Sequence, residues 1–124
     1  MRYFLENFEK DFIYTWQHKK AFLGTERKLL GKNTIRGYLH DTDKLFLYLF
    51  FTKEETSKIH RKYARHHYEN NLYKTNSDMI QLLIDWECNK LTKLDKPETA
   101  REYIEKAYPM EKNVFEPHLK ELGL

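Results

Sequence analysis

Apolar residues recur three and four positions apart along nearly all of this 124-residue chain, the spacing of one face of an α-helix. Valine, a residue at home in strands, occurs once, at Val114. Four glycines and three prolines leave few places to turn. Such a chain satisfies its apolar faces by packing helices on one another. The pattern predicts one all-α domain over residues 1–124, a bundle of about six helices.

The helices can be drawn from stripes and caps. Leu5, Phe8, Phe12, Trp16 and Leu23 mark one stripe of a first helix over about 3–23, with Gly24 as its C-terminal cap. The short "ERKLLG" follows and stops at Gly31. Asn33 or Thr34 caps a second helix, running through His40 to about Phe51 and burying Leu45, Phe46, Tyr48, Leu49 and Phe50. Thr52 and Glu55 read as a capping box for a third, reaching about Asn71. "KTNSD" is a turn before the amphipathic "MIQLLIDWECNKL". Pro97 suits the first turn of "PETAREYIEKAY". Pro109 ends that helix, and a last one covers about 114–122.

Composition narrows the class. Aromatic residues make up 15% of the chain, against disorder despite 33% charged residues. A net charge of +3 is too balanced to imply nucleic acid and suits a small anionic ligand. Cys88 is the only cysteine, so no internal disulfide can form and a reducing compartment is expected. Acidic neighbours in "IDWECNK" disfavour a thiolate, which leaves Cys88 a structural role. The start "MRYFLENFEKDF" lacks the apolar run of a signal peptide. The strongest apolar run, residues 45–51, is far too short to span a membrane. These features predict a cytoplasmic protein.

Polar groups sit where they need partners. His18 lies four residues from both Tyr14 and Phe22, on their helix face. His40 and Asp41 precede the apolar run of "HDTDKLFLYLF". His66 and His67 share one broad side with Ile59, Tyr63 and Asn70, away from most of the basic stripe Lys58, Arg61, Lys62 and Arg65. Asp85 stands at the edge of the stripe Met79, Leu82, Leu83 and Trp86. Charged groups beside a core are costly unless paired or bound to metal.

Each residue alone has a plain reading. His18 would be a hydrogen-bonded core residue. Asp41 and Asp43 would favour a helix start. His66 and His67 would pair or lie on the surface, and Asp85 would meet a buried Lys or Arg. Four such groups on four helices together point to a metal. Imidazole plus carboxylate suits Mn, Fe, Co, Ni or Zn. A divalent cation held this way lowers the pKa of water and clamps a phosphate oxygen. Lys44, one turn beyond Asp41, would face the same way.

The order His18, His40-Asp41, His66/His67, Asp85 resembles the HD-domain superfamily of metal-dependent phosphohydrolases, and in particular small HD-like proteins of bacteria and phages. In that family a first His, an adjacent His-Asp pair and a later Asp surround one metal on helices, and two-metal members add histidines between the pair and the last Asp. "HDTDK", "ARHHYENN" and "IDWE" carry the likeness, which covers about residues 14–110. Relatives often have a second His-His pair where this chain has Leu72-Tyr73.

The resemblance implies a hydrolase acting on a nucleotide or related phosphoester through metal-activated water. His18, His40, Asp41 and Asp85 would be ligands, with His66 or His67 completing the site. Asp41 and Lys44 would be catalytic. Lys44, Lys62, Arg65 and Asn70 would meet substrate. The expected partner is a small phosphoester, not a membrane or a duplex, with room for a homodimer. The alternative is an inactive HD-like accessory protein, phage-encoded, that binds a protein, nucleotide or nucleic acid. Tyr38, Tyr63 and Tyr68 are candidates to stack on a base, and Glu116, His118 and the tail "LKELGL" read as a packing helix.

Overall fold

A computed structural model describes residues 2–68, 74–92 and 95–124, and for residues 2–8 the backbone alone. The described residues are helical with no strand. They form α1 (Arg2–Leu30), α2 (Ile35–Leu39), α3 (Thr42–Leu47), α4 (Lys53–Tyr63), α5 (Asn76–Thr92), α6 (Ala100–Ala107) and α7 (Lys112–Glu121), with a 3-10 turn at Pro109–Glu111. The all-α class is as the spacing predicts. α2 and α3 are two pieces of what reads as one helix in sequence.

α5 is the centre. Met79, Ile80, Leu82, Leu83, Ile84, Trp86 and Cys88 are all buried. Around them stand Phe22 of α1, Ala100 and Ile104 of α6, and Phe115 and Leu119 of α7. Trp86 sits among Tyr103, Tyr108 and Phe115. Tyr68 packs on Tyr108 and Phe115, and its bond to Glu111 helps push its hydroxyl up to about 12. It is partly buried against the core. The residues after 112 pack as expected: Phe115, Leu119 and Leu122 are buried, and Arg101 grips Glu116 at 2.8 and 3.0 Å.

Several boundaries move. α1 passes through Gly24 and ends at Leu30, where the following Gly31, with φ +77°, makes a left-handed stop. Its buried face is Thr15, Lys19, Phe22 and Glu26, at spacings of four, three and four. Phe12 and Trp16 are exposed instead, because most of the face that α1 buries is polar. α4 begins as predicted, with Thr52 accepting from the Glu55 amide. It ends at Tyr63, since Ala64 turns extended. α6 begins at Ala100 with a Thr99–Glu102 capping box, leaving Pro97 ahead of the helix.

The predicted helix over 34–51 breaks at His40 and Asp41. Thr34 caps α2. Asp41 then adopts φ 58°, ψ 12° and starts α3 in a new direction. Only part of the apolar run is consequently covered. Tyr48 is buried with its hydroxyl 2.9 Å from Thr15 Oγ1, while Phe46, Leu49 and Phe50 are exposed. Among the described residues, no helix is long and apolar enough to cross a membrane.

Candidate metal centre

Five of the six histidines gather with three aspartates where α1, the α2–α3 turn, α4 and α5 meet. α1 supplies His18. The turn supplies His40 and Asp41, and α3 supplies Asp43. α4 supplies His60, the loop after it His66 and His67, and α5 Asp85. His40 lies flat on Phe22, ring centres 3.8 Å apart, so the core fixes its plane.

The two oxygens of Asp41 face two groups of ligand atoms. Oδ2 is 3.6 Å from His18 Nε2 and 3.4 Å from His40 Nε2. Those two nitrogens are 2.9 and 3.0 Å from Asp85 Oδ1. The four residues can bring one ligand atom each within 4.8 Å of the others. On the other side, Asp41 Oδ1 is 2.8 Å from His60 Nε2 and 3.1 Å from His66 Nε2. These nitrogens are 3.0 Å from each other.

Asp41 Oδ1 is buried and has no aligned hydrogen-bond donor. Its two imidazole contacts are close without the geometry of an N–H bond. Buried polar atoms are nearly always satisfied. Nitrogen and oxygen lone pairs converging on a small space are what a divalent cation requires. His60 carries a further mark: its Nδ1 is 2.7 Å from Asp43 Oδ2. A carboxylate on the far nitrogen fixes a histidine ligand's tautomer and orientation. The residues present therefore fit a divalent metal, and the buried His/Asp clusters could hold one.

The electrostatics differ from group to group, and in the absence of a cation the carboxylates and imidazoles hold one another as charge pairs. Burial alone would raise the Asp41 and Asp85 carboxyls, but His40, His60 and His66 hold Asp41 well below the ordinary range, and His18 and His40 do the same for Asp85. Burial pushes His18 and His60 down, yet Asp85 outweighs it at His18, and Asp41 with Asp43 outweighs it at His60; both end above 6.5. His66 is taken down to about 4, by burial first and the charge of His40 after it. A neutral imidazole is what a metal needs.

Two cavities reach the cluster. One, of about 370 Å³, is lined by His18, Asp41, Lys44, Arg61, His67 and Asp85, with Tyr14, Trp86 and Tyr103 around them. The other, of about 650 Å³, is lined by His40, Asp41, Asp43, His60 and His66, with apolar Ile35, Leu39 and Tyr63. Both fall in the usual size range of ligand sites.

The predicted residues separate accordingly. His18, His40, Asp41 and Asp85 come together, and Lys44 Nζ is 3.9 Å from Asp41 Oδ2. His66 touches Asp41, and His67, its ring 4.8 Å from that of His60, can bring a ligand atom within 4.8 Å of those of His60 and His66. Both lie beyond α4, not on it. Lys62 lines neither cavity and lies over Tyr63. Arg65 lines the larger one, but is bound to Asp78 at 3.2 Å. Asn70 and Leu72-Tyr73 lie outside the described residues. His60 and Arg61 are additions to the site. His60 was detectable: with Thr56 it points directly away from the middle of the Lys58, Arg61, Lys62 stripe on α4.

Cys88 is buried, and burial first and Asp85 next push its thiol up. Its sulfur bonds the Asp85 carbonyl at 3.1 Å and lies 3.9 Å from His18 Nδ1. Compared with known protein families, curated proteins and solved structures, the chain matches none of them.

Proposed function

We propose that this chain is a metal-dependent phosphohydrolase of HD type, acting on a nucleotide or related phosphoester. The observation that carries the reading is the shared carboxylate of Asp41, one oxygen toward each group of imidazoles. His18, His40, Asp85 and Asp41 Oδ2 would hold one cation. His60, His66 and Asp41 Oδ1 would hold a second, with no His-His pair needed at positions 72 and 73. A bound divalent ion supplies Lewis acidity, lowering the pKa of water and drawing charge from phosphate oxygens.

The chain's own groups do the rest. Lys44 and Arg61 bring positive charge to the smaller cavity, where a phosphate's charge would develop. Tyr14, Trp86 and Tyr103 offer aromatic surface for the organic part of the ester. Asp43 holds His60 in one orientation through Nδ1. Phe22 does so for His40 by stacking.

The test is purification without added metal, elemental analysis, and turnover of nucleotides and bis-p-nitrophenyl phosphate with Mn, Ni, Co and Mg. Bound metal and metal-dependent turnover are expected. A His40→Ala, Asp41→Ala double variant should lose more than about a hundredfold in rate, beyond what removing a ligand's supporting partner costs. No metal and no turnover would refute the enzyme; function kept in the double variant would favour a binding protein.

A further inference from the structure

The site depends on a turn that few residues adopt. α2 ends at Leu39, and α3 begins at Thr42. Between them His40 has φ −56°, ψ 127°, and Asp41 is left-handed at φ 58°, the one positive φ among the described residues other than glycines. Two proposed ligands thus share a two-residue break. Asp41 must hold a conformation that costs any residue with a Cβ.

Lys19 of α1 is buried directly against this break. Its ammonium donates to the Tyr38 carbonyl, to the His40 carbonyl at 3.2 Å and to Thr42 Oγ1 at 3.1 Å. Lysine has three N–H donors, and these three acceptors take them all. One lies before the break, one within it and one after it. None is a carboxylate, so these bonds hold the turn directly and do not form an ion pair.

We propose that Lys19 is a positioning residue that fastens the His40–Asp41 turn to α1, beside His18. Without it the turn loses its tie to the helix that carries the first ligand. His40 and Asp41 then no longer share one geometry with His18 and Asp85. The proposal rests on the metal reading above, and its test separates the two.

Metal-free wild-type protein and the Lys19→Met and Lys19→Gln variants are titrated with Co²⁺ alone and followed by visible absorption. Hydrogen exchange is measured on each without metal. Wild type should bind Co²⁺. Lys19→Met should bind about tenfold or more weakly, with an altered cobalt spectrum and unchanged far-ultraviolet circular dichroism. Lys19→Gln, which keeps two donors, should recover part of both. In Lys19→Met the Lys44 amide, bonded to the Asp41 carbonyl at 3.1 Å, should exchange faster. Wild-type affinity, spectrum and exchange in Lys19→Met would overturn the proposal. Failure of wild type to bind Co²⁺ would refute the metal reading, and faster exchange at Lys44 would still decide whether Lys19 holds the turn. Should Lys19→Met not fold, Lys19→Gln and Thr42→Val carry the same comparison.

Discussion

Asp41 concentrates the chemistry and the strain of the site in one residue. Its carboxylate lies between four imidazoles, and its backbone is left-handed. Asparagine tolerates that backbone better than most residues. Asp41→Asn should therefore keep the fold, within a few degrees in Tm, while divalent metal affinity measured by calorimetry falls about a hundredfold or more. His60→Ala should weaken metal binding more than His67→Ala, because His60 Nε2 is 2.8 Å from Asp41 Oδ1 and its Nδ1 is held by Asp43 at 2.7 Å. In sequence, His18 stood out between Tyr14 and Phe22, His40 and Asp41 directly before an apolar run, and Asp85 at the edge of an apolar stripe. His60 has no apolar residue one turn before it, and only its place with Thr56 opposite the basic stripe of α4 marks it. The pairing of Asp43 with His60 also depends on a turn that no spacing rule announces.

Elements are tied to the site by buried polar groups. Glu26 of α1 is fully buried and accepts from Asn33, the Thr34 amide, the Thr34 hydroxyl and Gln81 of α5, at 2.8 to 3.2 Å. Gly37 of α2 lies against it: a Cβ there would stand 2.1 Å from Glu26 Oε1. A carboxylate held by so many bonds cannot move aside. Gly37→Ala should cost about 2–3 kcal/mol in urea unfolding. Asp78, 1% exposed, begins α5 by accepting from the Thr75 amide and binds Arg36 at 2.5 Å and Arg65 at 3.2 Å. Burial would raise this carboxyl, but Thr75 and Arg36 bring it from 3.8 to about 2. The lowered folded pKa stabilises above pH 3.8, by about 2 kcal/mol, and that gain is lost as pH falls toward 2. Unfolding by urea between pH 2 and 6 should show a shallower acid loss in Asp78→Asn than in wild type. Helix identity was legible from caps and spacing: Thr34, Thr52 and the α5 stripe all act as predicted. The break at residues 40–41 was not, because "HDTDKLF" reads as helix locally and only the bonds from Lys19 and the packing on α1 and α5 show why it turns.

At the scale of the molecule, the all-helical class followed from one valine, few glycines and helical spacing. What the apolar count could not show is which large residues would be left outside, among them Ile35, Phe46 and Phe50. Helical spacing marks a face as apolar, but a face is buried only where another element reaches it. The site itself is a cluster of buried imidazoles and carboxylates that, on the proposed reading, a cation joins in the folded chain alone. Divalent metal should therefore stabilise the whole chain. At a free concentration a hundred times Kd the gain is about 2.7 kcal/mol, several degrees in Tm for a protein of this size, and a chelator should reverse it. The most direct measurement is anomalous scattering at the manganese edge from crystals grown with Mn²⁺. A peak enclosed by His18, His40, Asp41 and Asp85 is the expected result; density free of any peak there, with the imidazoles still paired to the carboxylates, would contradict it.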